Sequence, residues 1–422
     1  MPKYRGESLL RYFTHKSQPS ECVDQGTIIN SNPQQAFESP SGFVKSDFSK
    51  SCPFYKWIPG TSFTVDAFNY GSIHGCSAYF LSHFHYDHYR GLSGKFVGTI
   101  YCSEVTKGLV SSVYGKNLHI VPLTLNSPTH ISNVDVTAID ANHCPGSVMF
   151  LFHLIQTKRF VLHTGDFRFT LDMLSPPSPL AQMVSSADNM PSCRVHSVYL
   201  DTTYFNTDYD FPPQEFIISG AVNITILHLQ KDPSTLIVCG MYSIGKERFV
   251  CGLADELNLK VWLPPNQHRL VLISARNGCS VCTRLLRHVV ANPAQARLHV
   301  LPMAKLSLAG LTSYRSSLKL GASNNAILAW RPTGWSHKPP AKRASTFKST
   351  SGSNESLPHG IKQEASKNNI RIYGAAYSEH SSCKELEQFL TILKPVHVQP
   401  TVFGSSPKSV RSRIDQFLKK LT

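Results

Sequence analysis

Four residues able to bind a metal crowd into "HFHYDH" (83–88): His83, His85, Asp87 and His88. His83 and His85 stand two apart, so on an extended chain they point to one side and can share an ion. Asp87 and His88 follow as the chain turns and face a second ion position. More ligand-type residues close other apolar runs: Asp66, His143, Asp166, Asp201 and His380. His143 can complete the first set, and Asp166 can bridge two ions through its two oxygens. Imidazole with carboxylate suits zinc, and also manganese or iron. Two such ions about 4 Å apart activate a water and stabilise both oxygens of an in-line displacement at phosphorus. A metal-free surface cluster accounts for one or two histidines, not for this set.

The elements that must position these residues are short β-type runs, each ending in His or Asp. "FTVDAF", "SAYFLSH", "VDVTAIDANH", "RFVLHTGD" and "SVYLDTTY" come first, and "STLIVCG", "NAILAWRPTG" and "NIRIYGAAYSEH" later. Helical patterns such as "GKERFVCGLADELN" and "SCKELEQFLTIL" lie between them. Strands mixed with helices argue an α/β layered fold, in which sites gather beyond the carboxyl ends of strands.

The 422 residues suffice for two domains or one large composite one. No run of apolar residues is long enough to cross a membrane, and the N-terminus has no apolar secretory core. Eleven cysteines, scattered in apolar segments, fit reduced thiols better than a disulfide framework. Cys279-x-x-Cys282 has no second pair and reads as structural. A net charge of +15 points to a polyanionic partner, usually nucleic acid. Residues 331–371 hold eight Lys/Arg against two Glu, and 394–422 hold six against one Asp. Residues 1–50 are rich in Ser, Gln, Asn and Pro and read as mostly disordered. Residues 336–369 read as a flexible Ser/Lys/Pro-rich insert.

The motifs resemble a known family. "HFHYDH" is similar to the His-x-His-x-Asp-His signature of the metallo-β-lactamase fold, with "FTVDAF", "DANHCPGSVMFLF" and "VLHTGDFR" as companion motifs. "CPFYKWIPGTSFTVDAF", "LDTTYFN", "CGMYSIGKE", "RPTGW" and "YSEHSS" resemble phrases of the β-CASP nucleases of DNA cross-link repair, the group that includes Artemis and Apollo. The resemblance runs from about Cys52 to the C-terminus. It implies an αββα metallo-β-lactamase sandwich over 51–204, an inserted β-CASP domain over 205–370, and a return to the first domain over 371–422. It implies that His83, His85, Asp87, His88, His143 and Asp166 hold one or two Zn2+ ions, with Mg2+ or Mn2+ an option at the second site, and that Asp66 braces the metal loop. Asp87, Asp201 and His380 would act in catalysis. Val402, in "QPTVFGS", stands where the DNA-processing branch carries Val. The implied activity is 5′→3′ exonuclease action on 5′-phosphorylated DNA, single-stranded or at duplex ends, in interstrand cross-link repair in the nucleus. The alternatives are an RNA-processing endonuclease, a DNA-binding scaffold without turnover, and a small-molecule hydrolase of the β-lactamase type. The segment around residues 6–13 looks faintly like a sliding-clamp motif.

"GMYSIGKE" (240–247) nearly matches a P-loop, but Glu247 stands where a hydroxyl should hold magnesium. A nucleotide hydrolase is therefore not expected. The glycines, the start of a helix and Lys246 still suggest an anion cradle. Ser243 and Lys246, with Arg331 and Ser378, are the expected phosphate contacts.

Overall fold

A computed structural model describes residues 51–184, 194–318, 326–334, 357–403 and 407–421. The segment 1–50, with its clamp-like stretch at 6–13, and residues 336–356 of the expected insert lie outside this range.

The first sheet holds β1 (Phe63–Val65), β2 (Ala78–Phe80), β3 (Ile100–Cys102) and β4 (Ile120–Pro122), all parallel. The chain continues through β5 (Pro128–Ile131), β6 (Val134–Asp140), β7 (Val148–Leu154), β8 (Arg159–His163) and β9 (Val195–Leu200). A third group follows: β10 (Leu236–Met241), β11 (Val261–Trp262), β12 (Leu298–Pro302), β13 (Ile327–Pro332), β14 (Ile361–Lys367) and β15 (Ile370–Ala375). The last strand, β16 (His397–Pro400), returns to pair with β9, so the second sheet runs β16-β9-β8-β7-β6-β5.

Burial on both faces explains why β7 reads as a nearly unbroken apolar run. Val134, Val136, Phe150 and Phe152 face the first sheet, packing on Phe63, Val65 and Phe80. Their neighbours Ile139, Met149 and Leu151 face the other way, onto Leu386, Phe389 and Leu390 of the helix Cys383–Leu393. On the outer side of the first sheet, Leu109 and Val110 of the helix Glu104–Tyr114 cover Ile100 and Tyr79. The layers are therefore α, β, β, α, the sandwich expected from the sequence.

The third sheet has the order β11-β12-β10-β13-β15-β14 and is parallel except for its last pair. Its order reverses direction at β10, between β12 and β13, where an open α/β sheet leaves a crevice beyond its strand ends. The loop after β10 carries Ser243 and Lys246. The loop after β15 carries Ser378 and His380.

Two expectations change here. Part of the insert read as flexible is a strand, because Ile361–Lys367 pairs antiparallel with β15 around a bulge between Gln363 and Ala365. Its backbone bonds and the buried Ile361 hold it there, so a weak apolar pattern is enough at this sheet edge. The third sheet also runs past residue 370, since β15 lies hydrogen-bonded between β13 and β14. No described helix is long and apolar enough to cross a membrane.

Candidate metal centre

The ends of β1, β2, β6, β8 and β9 converge, and the loops after β10 and β15 close over them. Asp66, at the end of β1, accepts from the Ser82 N–H at 2.8 Å and from the Ser82 hydroxyl at 2.7 Å. Its Oδ2 also takes His88 Nδ1 at 2.7 Å. A buried carboxylate with these three donors fixes the start of the histidine loop, as a brace should. Burial opposes its ionisation, but His88 outweighs burial and holds the carboxyl below its usual range.

Each imidazole of the first set turns one nitrogen outward to a protein partner. His83 Nδ1 meets the Ser82 hydroxyl at 2.9 Å, His85 Nε2 meets the Ile244 carbonyl at 3.2 Å, and His143 Nδ1 meets the Glu379 carbonyl at 2.7 Å. Ser82 donates its own proton to Asp66, so His83 must donate to Ser82. The outer nitrogens therefore carry the protons, and the inner ones present lone pairs. Those inner nitrogens are close together: His83 Nε2 to His85 Nδ1 is 2.9 Å, and His143 Nε2 to His85 Nδ1 is 3.1 Å. Nitrogens bound about 2.0–2.1 Å from one zinc ion, at right to tetrahedral angles, stand about 2.9–3.4 Å apart. Three lone pairs facing one another at this spacing suit a shared cation. Burial lowers the pKa of all three imidazoles and keeps them neutral, as ligation requires.

A second donor set adjoins the first. His88 gives its Nδ1 to Asp66 and points Nε2 at Asp166 Oδ2, 3.2 Å away. The same Asp166 oxygen is 3.7 Å from His83 Nε2 and 3.8 Å from His143 Nε2, so it sits between the two sets. Burial penalises the Asp166 carboxylate, yet His88, His380 and His83 drive its pKa well below the usual range. Burial likewise disfavours a charged His88, but Asp166 and Asp66 lift its pKa well above the ordinary value. A divalent cation would take the place of its Nε2 proton. Asp87 lies on this side at the rim, 80% exposed, with Oδ2 3.7 Å from His88 Nε2.

Across the site, His380 Nδ1 is held by Asp201 Oδ2 at 2.8 Å, and His380 Nε2 lies 4.0 Å from Asp166. Burial works against its protonation, but Asp201 and Asp166 prevail and raise its pKa. Asp201 Oδ1 is fixed by the Thr203 N–H and hydroxyl.

The expected phosphate contacts are placed differently. Lys246 is buried, and its ammonium pairs with Glu379 Oε2 at 2.8 Å. Its backbone N–H donates to Glu379 Oε1, and the Gly245 N–H donates to Glu247. The donors of the expected anion cradle are thus taken by the protein's own carboxylates. Arg331 is bound to Glu364 at 2.6 Å and to the Leu306 carbonyl. Ser378 exchanges hydrogen bonds with the His380 backbone and so shapes the turn that carries His380. Ser243 is exposed, one residue from the carbonyl that holds His85.

Sequence reasoning missed several residues. Glu379 joins Lys246 to the backbone behind His143 and sits beside His380, inside the quoted "YSEHSS". Arg168, two residues after Asp166, makes paired bonds to Glu385 and donates to the Ser378 carbonyl, tying its loop to the helix Cys383–Leu393 and to the loop after β15. Cys144 follows His143 and stands close enough to join the first donor set. Burial pushes its thiol pKa well up, so it stays protonated.

The DNA cross-link repair protein SNM1 of Arabidopsis thaliana is 40% identical over 362 residues, covering 85% of this chain and 67% of that protein. The chain belongs to the DNA cross-link repair metallo-β-lactamase family. The family model "DNA repair metallo-beta-lactamase" matches residues 283–406. The DNA cross-link repair 1A protein of Homo sapiens is 39% identical over 381 residues, 90% of this chain and 33% of that protein. The 5′ exonuclease Apollo of Mus musculus is 28% identical over 353 residues, 82% of this chain and 54% of that protein. This family member therefore spans about a third of the length of the 1A relative.

Proposed function

We propose that the chain is a metal-dependent DNA nuclease of interstrand cross-link repair, acting 5′→3′ on 5′-phosphorylated ends, single-stranded or at duplex termini. The observation that carries this reading is the pair of donor sets joined at Asp166, with His380 held by Asp201 beside them. His83, His85 and His143 form one set, and Asp87, His88 and Asp166 the other. Zn2+ fits the first, and Zn2+, Mg2+ or Mn2+ the second. Bound there, such ions supply a hydroxide at neutral pH and stabilise charge on the phosphoryl oxygens.

The chain's own groups do the rest. Asp66 and Ser82 hold the histidine loop so that its inner nitrogens do not wander. The Ile244 and Glu379 carbonyls fix the tautomers of His85 and His143. With Nδ1 engaged by Asp201, His380 offers Nε2 toward the site, where it can hold a phosphate oxygen or hand a proton to the leaving oxygen. Ser243, exposed in the loop after β10, is the remaining candidate contact for a 5′-phosphate. The basic segments 331–371 and 394–422 support a strand held by charge rather than by sequence. The third sheet and its helices are the proposed β-CASP unit, entered near residue 205 and left after Ala375. A nuclear location follows from the substrate.

The relatives' names support DNA repair, and the Apollo name supports the 5′ direction. Matched DNA and RNA strands, each with a 5′-phosphate or a 5′-hydroxyl, provide the test. Faster shortening of 5′-phosphorylated DNA from its 5′ end is expected. Preferred internal cutting of RNA would transfer the reading to the RNA-processing alternative.

A further inference from the structure

A cavity of about 550 Å³ opens beside the metal centre, lined by His143, Cys144 and Glu247 on one wall and by Asn277–Val281 on another. Cys279 belongs to that second wall. It is half-buried, and Cys282, three residues on, is fully buried. Cys279 caps the helix Ser280–Leu286, Cys282 lies in its first turn, the two pack in one apolar cluster, and both are free thiols. The buried Ser274 hydroxyl, on the preceding helix Pro265–Arg276, has no hydrogen-bond partner of its own.

We propose that Cys279 and Cys282 form a redox-active dithiol that exchanges with low-molecular-weight disulfides reaching it through this cavity. The arrangement has the asymmetry such a pair needs, with one sulfur accessible and the second withdrawn behind it. The Cys282 thiol and the N–H groups of Cys282 and Val281 stabilise a Cys279 thiolate against burial and the opposing charge of Asp140, bringing its pKa down to about 7. Glu247 lines the same cavity. Cys52, Cys251 and Cys383 go the other way, each pushed up to about 11 chiefly by burial.

The chemistry balances without any group from the metal centre. The Cys279 thiolate attacks one sulfur of a disulfide RSSR, forming a mixed disulfide and releasing RS⁻. Cys282 then gives up its proton and attacks the Cys279 sulfur, releasing a second RS⁻. Two protein thiols are oxidised to one disulfide, and one RSSR is reduced to two RSH. An excess of reduced thiol drives the reverse.

The test uses the full chain, first reduced, then held in glutathione buffers of rising oxidised fraction. Free thiols are trapped and the peptide Asn277–Arg284, which contains both cysteines, is weighed. The expected result is that this peptide is recovered two hydrogens lighter before any other cysteine is modified. Cys282→Ser should leave Cys279 carrying a single glutathione, and Cys279→Ser should leave the peptide unmodified. In the wild type, limiting iodoacetamide should label Cys279 ahead of Cys52 and Cys76. A peptide that stays reduced while glutathione collects on other cysteines would overturn the proposal. So would labelling of Cys279 no faster than of Cys52 and Cys76, and neither result depends on how well the variants fold.

Discussion

Replacing Lys246 with Met separates two accounts of the segment 240–247. If Lys246 served a 5′-phosphate, Lys246→Met would cost activity mainly on 5′-phosphorylated strands and leave the fold intact. The structure predicts the opposite. The Lys246 and Glu379 side chains are 7% and 6% exposed, and their charged atoms are 2.8 Å apart. Met keeps the side-chain volume but leaves the Glu379 carboxylate buried beside Glu247. Removing one partner of a buried pair costs about 3–5 kcal/mol, most of it the uncompensated charge left behind. In a chain of this size that lowers Tm by about 3–6 °C.

Glu379 also passes the effect to the site, because its carbonyl holds His143 Nδ1 at 2.7 Å. Turnover should therefore fall by similar factors on 5′-phosphorylated and 5′-hydroxyl strands. Adding Glu379→Gln to Lys246→Met removes the stranded charge and should restore part of the lost stability. A double-mutant cycle by denaturant unfolding would then show a coupling of about 1–3 kcal/mol. An unchanged Tm, together with a selective loss on 5′-phosphorylated DNA, would refute the reasoning and return Lys246 to the phosphate pocket.

Asp87→Ala should leave a folded protein whose turnover falls roughly a thousandfold, since the second donor set loses a carboxylate and with it several kcal/mol of transition-state stabilisation; near-normal rates in a metal-replete variant would remove Asp87 from the ligands. His380→Ala should lower kcat by about 10²–10⁴-fold while metal content, measured on the same sample, stays at the wild-type level. Glu247 gives a pH signature, because burial first and Glu379 second raise its pKa from 4.5 to about 8 in the folded chain. The folded state therefore holds a proton that the unfolded state has lost, and stability should decline as pH rises through that window. Glu247→Gln should flatten the decline in denaturant melts across the same pH range, and an unaltered slope would show that Glu247 ionises normally.

Much of the candidate metal centre was legible because its donor residues are local. His83, His85, Asp87 and His88 lie within one turn of chain, and His143 and Asp166 follow apolar runs that had to be strands. The sandwich was legible for the same reason, from strands that end in His or Asp. What the sequence could not disclose was partner choice over long separations. Lys246 beside two glycines looked like a phosphate ligand, yet Glu379, more than a hundred residues on, neutralises it. Arg331 looked available and is taken by Glu364. Ile361–Lys367 carries too few apolar residues to announce a strand, and only the edge of β15 makes it one. Cys279 and Cys282 looked structural because nothing local reveals that one lines a cavity and the other lies behind it.

The most direct test of the account strips the chain of metal with a chelator and restores Zn2+ stepwise. The rate at which 3′-labelled, 5′-phosphorylated single-stranded DNA is shortened is followed at each step. The account predicts no cleavage in the stripped protein and a rate that rises with bound metal, with products shortened progressively from the 5′ end. Cleavage that persists without metal, or a fully metal-loaded protein that leaves the strand intact, would contradict it.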